Sequence, residues 1–290
     1  MSVTRRALLG GLGAALAWPG AAGAAILPRE DDAAKGQVVR EPQRPTPPPY
    51  PPLAAGSRPF VDGEYLEYAV DYQGISAGDA SLTVLGPTTV DGLSGLLVRY
   101  AARTRGLVAR FYRLEDRIES LLDPLFLFTR RTETWSQQRS RYRHRIVRFE
   151  PTAGRFVRRE IPGDTITRPL DTPVVDGLGL VYHLRVKPLA PGSRLTIPVY
   201  RKQEVTSVTF EARGPVLVGT PAGRFETIEI FPVEANGRST DEGGLFGGRG
   251  RIWLTTDARR VPVRLAGSAA VGSLDARLRQ VLVPSPVSAR

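Results

Sequence analysis

The sequence predicts a mainly all-β protein: a single large curved antiparallel sheet or open barrel carrying one or two short helices. Three observations predict it. From Glu64 onward apolar and polar residues alternate with a period of two, so that Leu66, Tyr68, Val70 and Tyr72 share one face and Glu67, Ala69, Asp71 and Gln73 the other. The 30 glycines and 25 prolines among 290 residues supply turns at short intervals. Helical spacing is confined to two short stretches, and consecutive strands with few helices fold as antiparallel sheets that curl or close.

The elements follow in order. Gly74-Ile-Ser-Ala-Gly78 turns the chain, and Ala80, Leu82 and Val84 alternate with Asp79, Ser81 and Thr83, so the first two strands form a hairpin. Further strands are expected near 95–104, 126–135, 141–149, 155–161, 194–200, 203–213, 215–219, 224–234, 250–256, 260–266 and 274–283. Turn signals separate several of them: Asp91-Gly92, Thr152-Ala-Gly154, Pro221-Ala-Gly223 and Asp257-Ala258. Phe111 to Leu122 mixes apolar and charged residues and fits a short helix or a strand. Asp176 is a capping residue for two helical turns over Gly177–Leu184, which close before the loop Pro188-Leu-Ala-Pro-Gly192.

The ends are organised differently. Residues 1–24 read as an export signal: Thr4-Arg5-Arg6-Ala7-Leu8-Leu9 resembles a twin-arginine start, Leu8 to Trp18 is a short apolar core, and Ala22-Gly23-Ala24 is a cleavage site. General secretion remains the alternative route, because Gly10 stands where the usual lysine follows and Leu8 where phenylalanine is commoner. The core is shorter than the roughly 20 apolar residues that span a bilayer, and no later segment reaches that length, so the protein is expected to be periplasmic or otherwise exported and not membrane-spanning. Residues 25–59 form a proline-rich leader, densest at Glu41–Pro52, that favours polyproline II. It is a stiff spacer or a docking site for an envelope protein partner. The β domain covers 60–284, and 285–290 is a tail.

Composition narrows the chemistry. A hydrophobic fraction of 41% suffices for a core. The absence of cysteine excludes disulfides, thiolate metal sites, cysteine nucleophiles and a lipid anchor on cysteine. With His144 and His183 alone, a histidine-rich metal site has too few ligands, and neither metal nor cofactor is expected. The net charge is +11; losing Arg5 and Arg6 with the signal leaves 38 basic against 29 acidic side chains, or +9. Such a field attracts phospholipid or lipopolysaccharide head groups, anionic glycans or nucleic acid. Export argues against nucleic acid. Lysine stands only at 35, 187 and 202, so the cations are nearly all arginine, as a GC-rich genome also dictates.

The sharpest constellation is Trp135-Ser-Gln-Gln-Arg139-Ser-Arg141-Tyr-Arg143-His-Arg145. On one strand, Trp135, Arg139, Arg141, Arg143 and Arg145 share a face, with the guanidiniums about 6.6–7 Å apart, an anion-binding strip whose tryptophan stacks on a sugar or caps an apolar chain. A hairpin turn at 136–139 divides them between two strands, and a charged edge that blocks aggregation is the plain structural alternative. Asp116 and Glu133 are the candidate acid/base pair for glycan hydrolysis, which needs two carboxylates facing across a cleft; salt bridges with nearby arginines compete for them. No G-x-S-x-G occurs, and His183, in an apolar run, reads as a structural histidine. Gly243–Gly250 lacks the G-K-[ST] of a phosphate loop and reads as a hairpin loop or lid with Leu245 and Phe246 at its tip.

Four blocks carry a family resemblance: Gly63-Glu64-Tyr-Leu-Glu-Tyr68 with Gly74–Gly78, Asp176–Arg185 followed by Pro188-Leu, Thr220-Pro-Ala-Gly-Arg-Phe225, and Ile252-Trp-Leu-Thr-Thr-Asp257-Ala-Arg-Arg-Val-Pro262. In order and spacing they resemble the domain of unknown function 3108 family over roughly 60–283. The resemblance implies an exported, mostly β protein and brings no catalytic residues with it. The last strands also look like those of curved-sheet, lipoprotein-carrier-like envelope proteins, by analogy of fold alone. The reading favoured is a non-catalytic envelope protein that binds an amphiphilic or anionic lipid or glycan. A carboxylate-pair glycan or peptidoglycan hydrolase and an envelope interaction scaffold are the alternatives.

Overall fold

The computed structural model of the protein describes residues 58–201, 203–233, 250–268 and 273–284. The stretches expected to be an export signal, the leader up to residue 57, a loop or lid with Leu245 and Phe246, and a tail lie outside the described residues. The described chain forms one 14-stranded antiparallel sheet, not closed, with two short helices.

Alternation builds the first hairpin as expected. Strands β1 (Tyr65–Tyr72) and β2 (Ile75–Val90) pair Leu66 with Leu82 and Tyr68 with Ala80, which puts both apolar rows on one face. Asp91 and Gly92 both take positive φ, 48° and 77°, and turn β2 into β3 (Leu93–Thr104). The ambiguous stretch divides: α1 (Gly106–Phe111) is a single short helix, and β4 (Leu114–Leu122) is a strand. β5 (Thr129–Gln138), β6 (Arg141–Glu150), β7 (Arg155–Glu160) and β8 (Thr165–Pro169) complete one arm of the sheet. β8 is a strand that alternation did not reveal, since four of its five side chains are exposed.

After helix α2 (Gly177–Arg185) come β9 (Arg194–Arg201) and β10 (Glu204–Thr220). The two strands expected at 203–213 and 215–219 are one long strand with a register shift between Arg213 and Val216. β11 (Gly223–Val233), β12 (Arg251–Thr255), β13 (Pro262–Ser268) and β14 (Ser273–Leu282) return to β1, so the order runs from β8 down to β1, then β14 back to β9.

The sheet rolls until its arms meet. Tyr200 of β9 packs edge-on against Phe149 and Phe156, with centroids 5.0 and 5.3 Å away, inside a small cluster with Val147, Leu170 and Val174. Val175 stitches the seam through backbone bonds from its N–H to Pro198 and from the Tyr200 N–H to its own carbonyl. Helix α2 lies within the roll, with eight of its nine residues buried in contact with the inward rows of the sheet. Its Asp176 cap accepts from the Gly179 N–H at 2.8 Å, as the capping reading expected.

Strands that alternate in direction sort their connections between two ends. The turns at 91–92 and 123–128 lie at one end. Helix α2 sits there too, bonded through His183 to Phe126 and through Arg185 to Glu64. The turn at 73–74, the α1 connection and the β5–β6 turn lie at the other, hereafter the rim end.

Candidate functional site

Register decides which side chains face the interior. Tyr68 pairs with Ala80, Ala80 with Ala102, Ala102 with Asp116, Asp116 with Ser136 and Ser136 with Arg143, so all share the inward face of the buried Tyr68. One step deeper, Leu82, Tyr100, Ile118, Thr134, Arg145 and Glu160 form the next inward row. Near α2 the inward side chains Leu66, Leu82, Val84 and Val98 are fully enclosed. Toward the rim end Val70, Ala102, Ile118 and Val208 remain partly exposed although they pack on the same core. The roll is solid around α2 and keeps accessible apolar surface toward its rim.

Beside that surface stands a polar arc. The Ser136 hydroxyl donates to Asp116 at 2.5 Å, and the Tyr112 hydroxyl donates to Gln138 Oε1 at 3.2 Å. Burial raises the Asp116 carboxyl above its ordinary value, while Ser136 and the Arg143 charge pull it back down. Burial, with the Asp116 charge added, likewise raises the Tyr100 hydroxyl. Arg145 donates to Glu160 at 2.6 Å.

The predicted site residues therefore part company. A hairpin turn at Arg139 and Ser140 replaces the single strand over 135–145, with Arg139 at φ 56°. Arg141, Arg143 and Arg145 do share one face of β6, and it is the inward one; Arg139 sits in the turn with its guanidinium 5.5 Å from the Tyr112 ring centre. Trp135 pairs with His144 and faces outward. In register it stands between its neighbours, with His144 stacked at 5.2 Å from one strand and the Arg117 guanidinium 3.9 Å over the ring from the other. Its ring surface is thus committed to protein contacts. Trp135 also borders an outer-face groove of about 470 Å³, together with Glu67, Ser81, Ala101, Arg103, Glu115 and Tyr142.

Asp116 and Glu133 lie on opposite faces of the sheet, because Asp116 pairs with Ser136 while Glu133 pairs with Glu119, an odd three positions along. Glu133 is held outside by Arg131 at 2.7 Å and His144 at 2.6 Å. A cleft with these two carboxylates opposed is not formed. His183 is buried, its Nδ1 is 3.0 Å from the Phe126 carbonyl, and burial, reinforced by the Lys187 charge, lowers its pKa to about 4. It is a neutral structural group.

Sequence reasoning missed Ser136, Gln138, Arg158 and Tyr200. Arg158 pairs with inward-facing Val147, and its side chain is 9% exposed. Its Nη2 reaches Glu160 at 3.3 Å, yet its Nε and Nη1, like the Tyr200 hydroxyl, find no hydrogen-bond partner among the described residues. One signal was legible: Arg158 has the parity of Phe156, a charge at an apolar position.

Fold and site define a rolled all-β sheet filled by a helix at one end, with mixed apolar and basic inward rows toward the other. The chain belongs to the DUF3108 family, described as protein of unknown function, whose family model matches residues 67–279. No curated protein matches it in sequence. Among solved structures it is similar to a β-barrel-like protein of domain of unknown function DUF1849 from Brucella abortus, at 10% identity and TM-score 0.48, covering 76% of this chain and 97% of that one. It is also similar to a DUF1089 family protein from Pseudomonas aeruginosa, at 10% identity and TM-score 0.36, covering 66% and 90%.

Proposed function

We propose that this is an exported envelope protein that binds an amphiphile without transforming it. The apolar tail lies against the inward rows and the anionic end meets Arg143, with Arg141 and Arg145 adding field. One observation carries the reading: Val70, Ala102, Ile118 and Val208 face inward and yet stay accessible, and the inward rows of Ala102 and Ile118 run on to Arg143 and Arg145. Apolar surface left uncovered inside a fold is stabilised by an apolar guest, at about 25 cal/mol for each Å² covered. A guanidinium supplies a forked donor for a carboxylate or phosphate. Export rests on the signal features of residues 1–24.

Titration with dodecanoate and with dodecanol tests it. The wild type is expected to bind both saturably, dodecanoate more tightly. Arg143→Gln is expected to weaken dodecanoate about tenfold, as loss of a hydrogen bond to a charged group does, and to leave dodecanol unchanged. Ala102→Trp, which fills the interior, is expected to weaken both. Absence of saturable binding, or an Arg143→Gln variant that binds dodecanoate as the wild type does, overturns the proposal.

A further inference from the structure

The three neighbouring connections at the rim end have an unusual surface. Ile75 is 61% exposed, Leu107 63%, Phe111 59% and Tyr142 61%, each in or beside the β1–β2 turn, helix α1 or the β5–β6 hairpin. Antiparallel neighbours bring these connections side by side: β2 pairs with β3, β4 with β5, and Arg105 donates its backbone N–H to Ala77 at 2.8 Å. Within residues 73–78, 103–115 and 139–143 stand Arg103, Arg105, Arg110, Arg113, Arg139, Arg141 and Arg143 against one acidic residue, Glu115. All seven arginines are exposed. Arg105 pairs with Asp79 and Arg139 leans on Tyr112, while Arg110 and Arg113 flank the helix that carries Leu107 and Phe111.

Isolated exposed apolar residues are ordinary on any surface. Here four large ones are interleaved with seven cations around one end of a rolled sheet, and this composition fits a lipid head-group layer. Side chains such as Leu and Phe enter the acyl boundary while arginines meet phosphates. An acidic protein partner would reward the arginines without using four exposed apolar tips. We propose that the rim end docks on an anionic bilayer surface through Leu107 and Phe111, with Arg110, Arg113 and Arg139 contacting phosphate groups. The inference rests on rim residues alone and does not depend on what occupies the interior.

Co-sedimentation of the full chain with vesicles tests it. Binding is expected to vesicles of phosphatidylcholine mixed with phosphatidylglycerol, to be weak on phosphatidylcholine alone, and to fall with salt as surface charge is screened. Arg110→Gln with Arg113→Gln, and separately Leu107→Ser with Phe111→Ser, should each lower the partition coefficient about tenfold or more. Arg155→Gln with Arg168→Gln removes the same charge from exposed residues at the opposite end of the sheet and should change it less than twofold. All these side chains are exposed, and unchanged melting checks the fold. Failure to bind the anionic vesicles overturns the proposal. So does an equal loss in both arginine double variants, which would show attraction by net charge without a docking face. Retention of dodecanoate binding by the Leu107/Phe111 variant would separate the two proposals.

Discussion

Glu64 and Arg185, both fully buried, face each other with Nη1 and Nη2 at 2.5 and 3.1 Å from the two carboxylate oxygens. The same guanidinium donates to the carbonyls of Pro59 and Arg259 and lies 4.9 Å from the Phe60 ring centre. One side chain thereby ties helix α2 to the segment before β1 and to the turn before β13. A charge so placed needs its partner, since removing one member of a buried pair leaves the other desolvated and uncompensated. Glu64→Gln is expected to cost about 3–5 kcal/mol of unfolding free energy, measured by denaturant titration. A loss below about 1 kcal/mol would show that the carbonyl contacts suffice. Glu64, Arg185 and Arg259 all belong to the blocks that carried the family resemblance, so these motif residues mark the helix-filled end of the fold, away from the rim. The motifs were legible; their meeting place was not, because 121 positions separate Glu64 from Arg185.

At the scale of elements, helix α2 decides how far the interior extends. Its cap Asp176 accepts from the hydroxyls of Ser120 at 2.6 Å and Thr129 at 2.8 Å, which docks the first turn onto β4 and β5. Gly179 permits this approach: a Cβ there would lie 2.6 Å from Thr129 Oγ1, 2.8 Å from Asp176 Oδ1 and 3.1 Å from Leu122 Cδ2. Gly179→Ala should push the helix off both strands and cost about 1–3 kcal/mol, as overpacking does. Hydrogen exchange should then rise at α2 while the β1–β2 hairpin stays protected. A variant as stable as the wild type would count against this account of the docking. The cap and the helix were readable from Asp176 and the apolar run after it. The burial of eight of nine helix residues was not, because periodicity reports an amphipathic face and this helix is enclosed on nearly all sides.

The whole molecule is a rolled sheet whose seam contains an unusual charge. Glu160 keeps Arg145 at 2.6 Å, so the second guanidinium, Arg158, is not needed to neutralise it, and two of its nitrogens lack partners in the seam beside Tyr200. An unsatisfied buried donor costs about 1–3 kcal/mol. Arg158→Met, of similar length and apolar, is accordingly expected to raise the unfolding midpoint in denaturant by an amount worth about 1 kcal/mol or more. A lowered midpoint would mean that Arg158 holds the seam together. Rolling also creates the rim, by gathering turns that alternation alone leaves scattered along the chain.

By itself the sequence determined the strand period, the first hairpin, the capped helix, the family and the mainly β fold, because each is written in residues close along the chain. Tertiary structure alone decided that Arg141, Arg143 and Arg145 face inward while Trp135 faces out, and that Asp116 and Glu133 stand on opposite sides. The β4–β5 connection at 123–128 sets the carboxylates' faces and the turn at Arg139 and Ser140 sets those of the three arginines; with a side-chain period of two, moving either by one residue reverses every side chain after it.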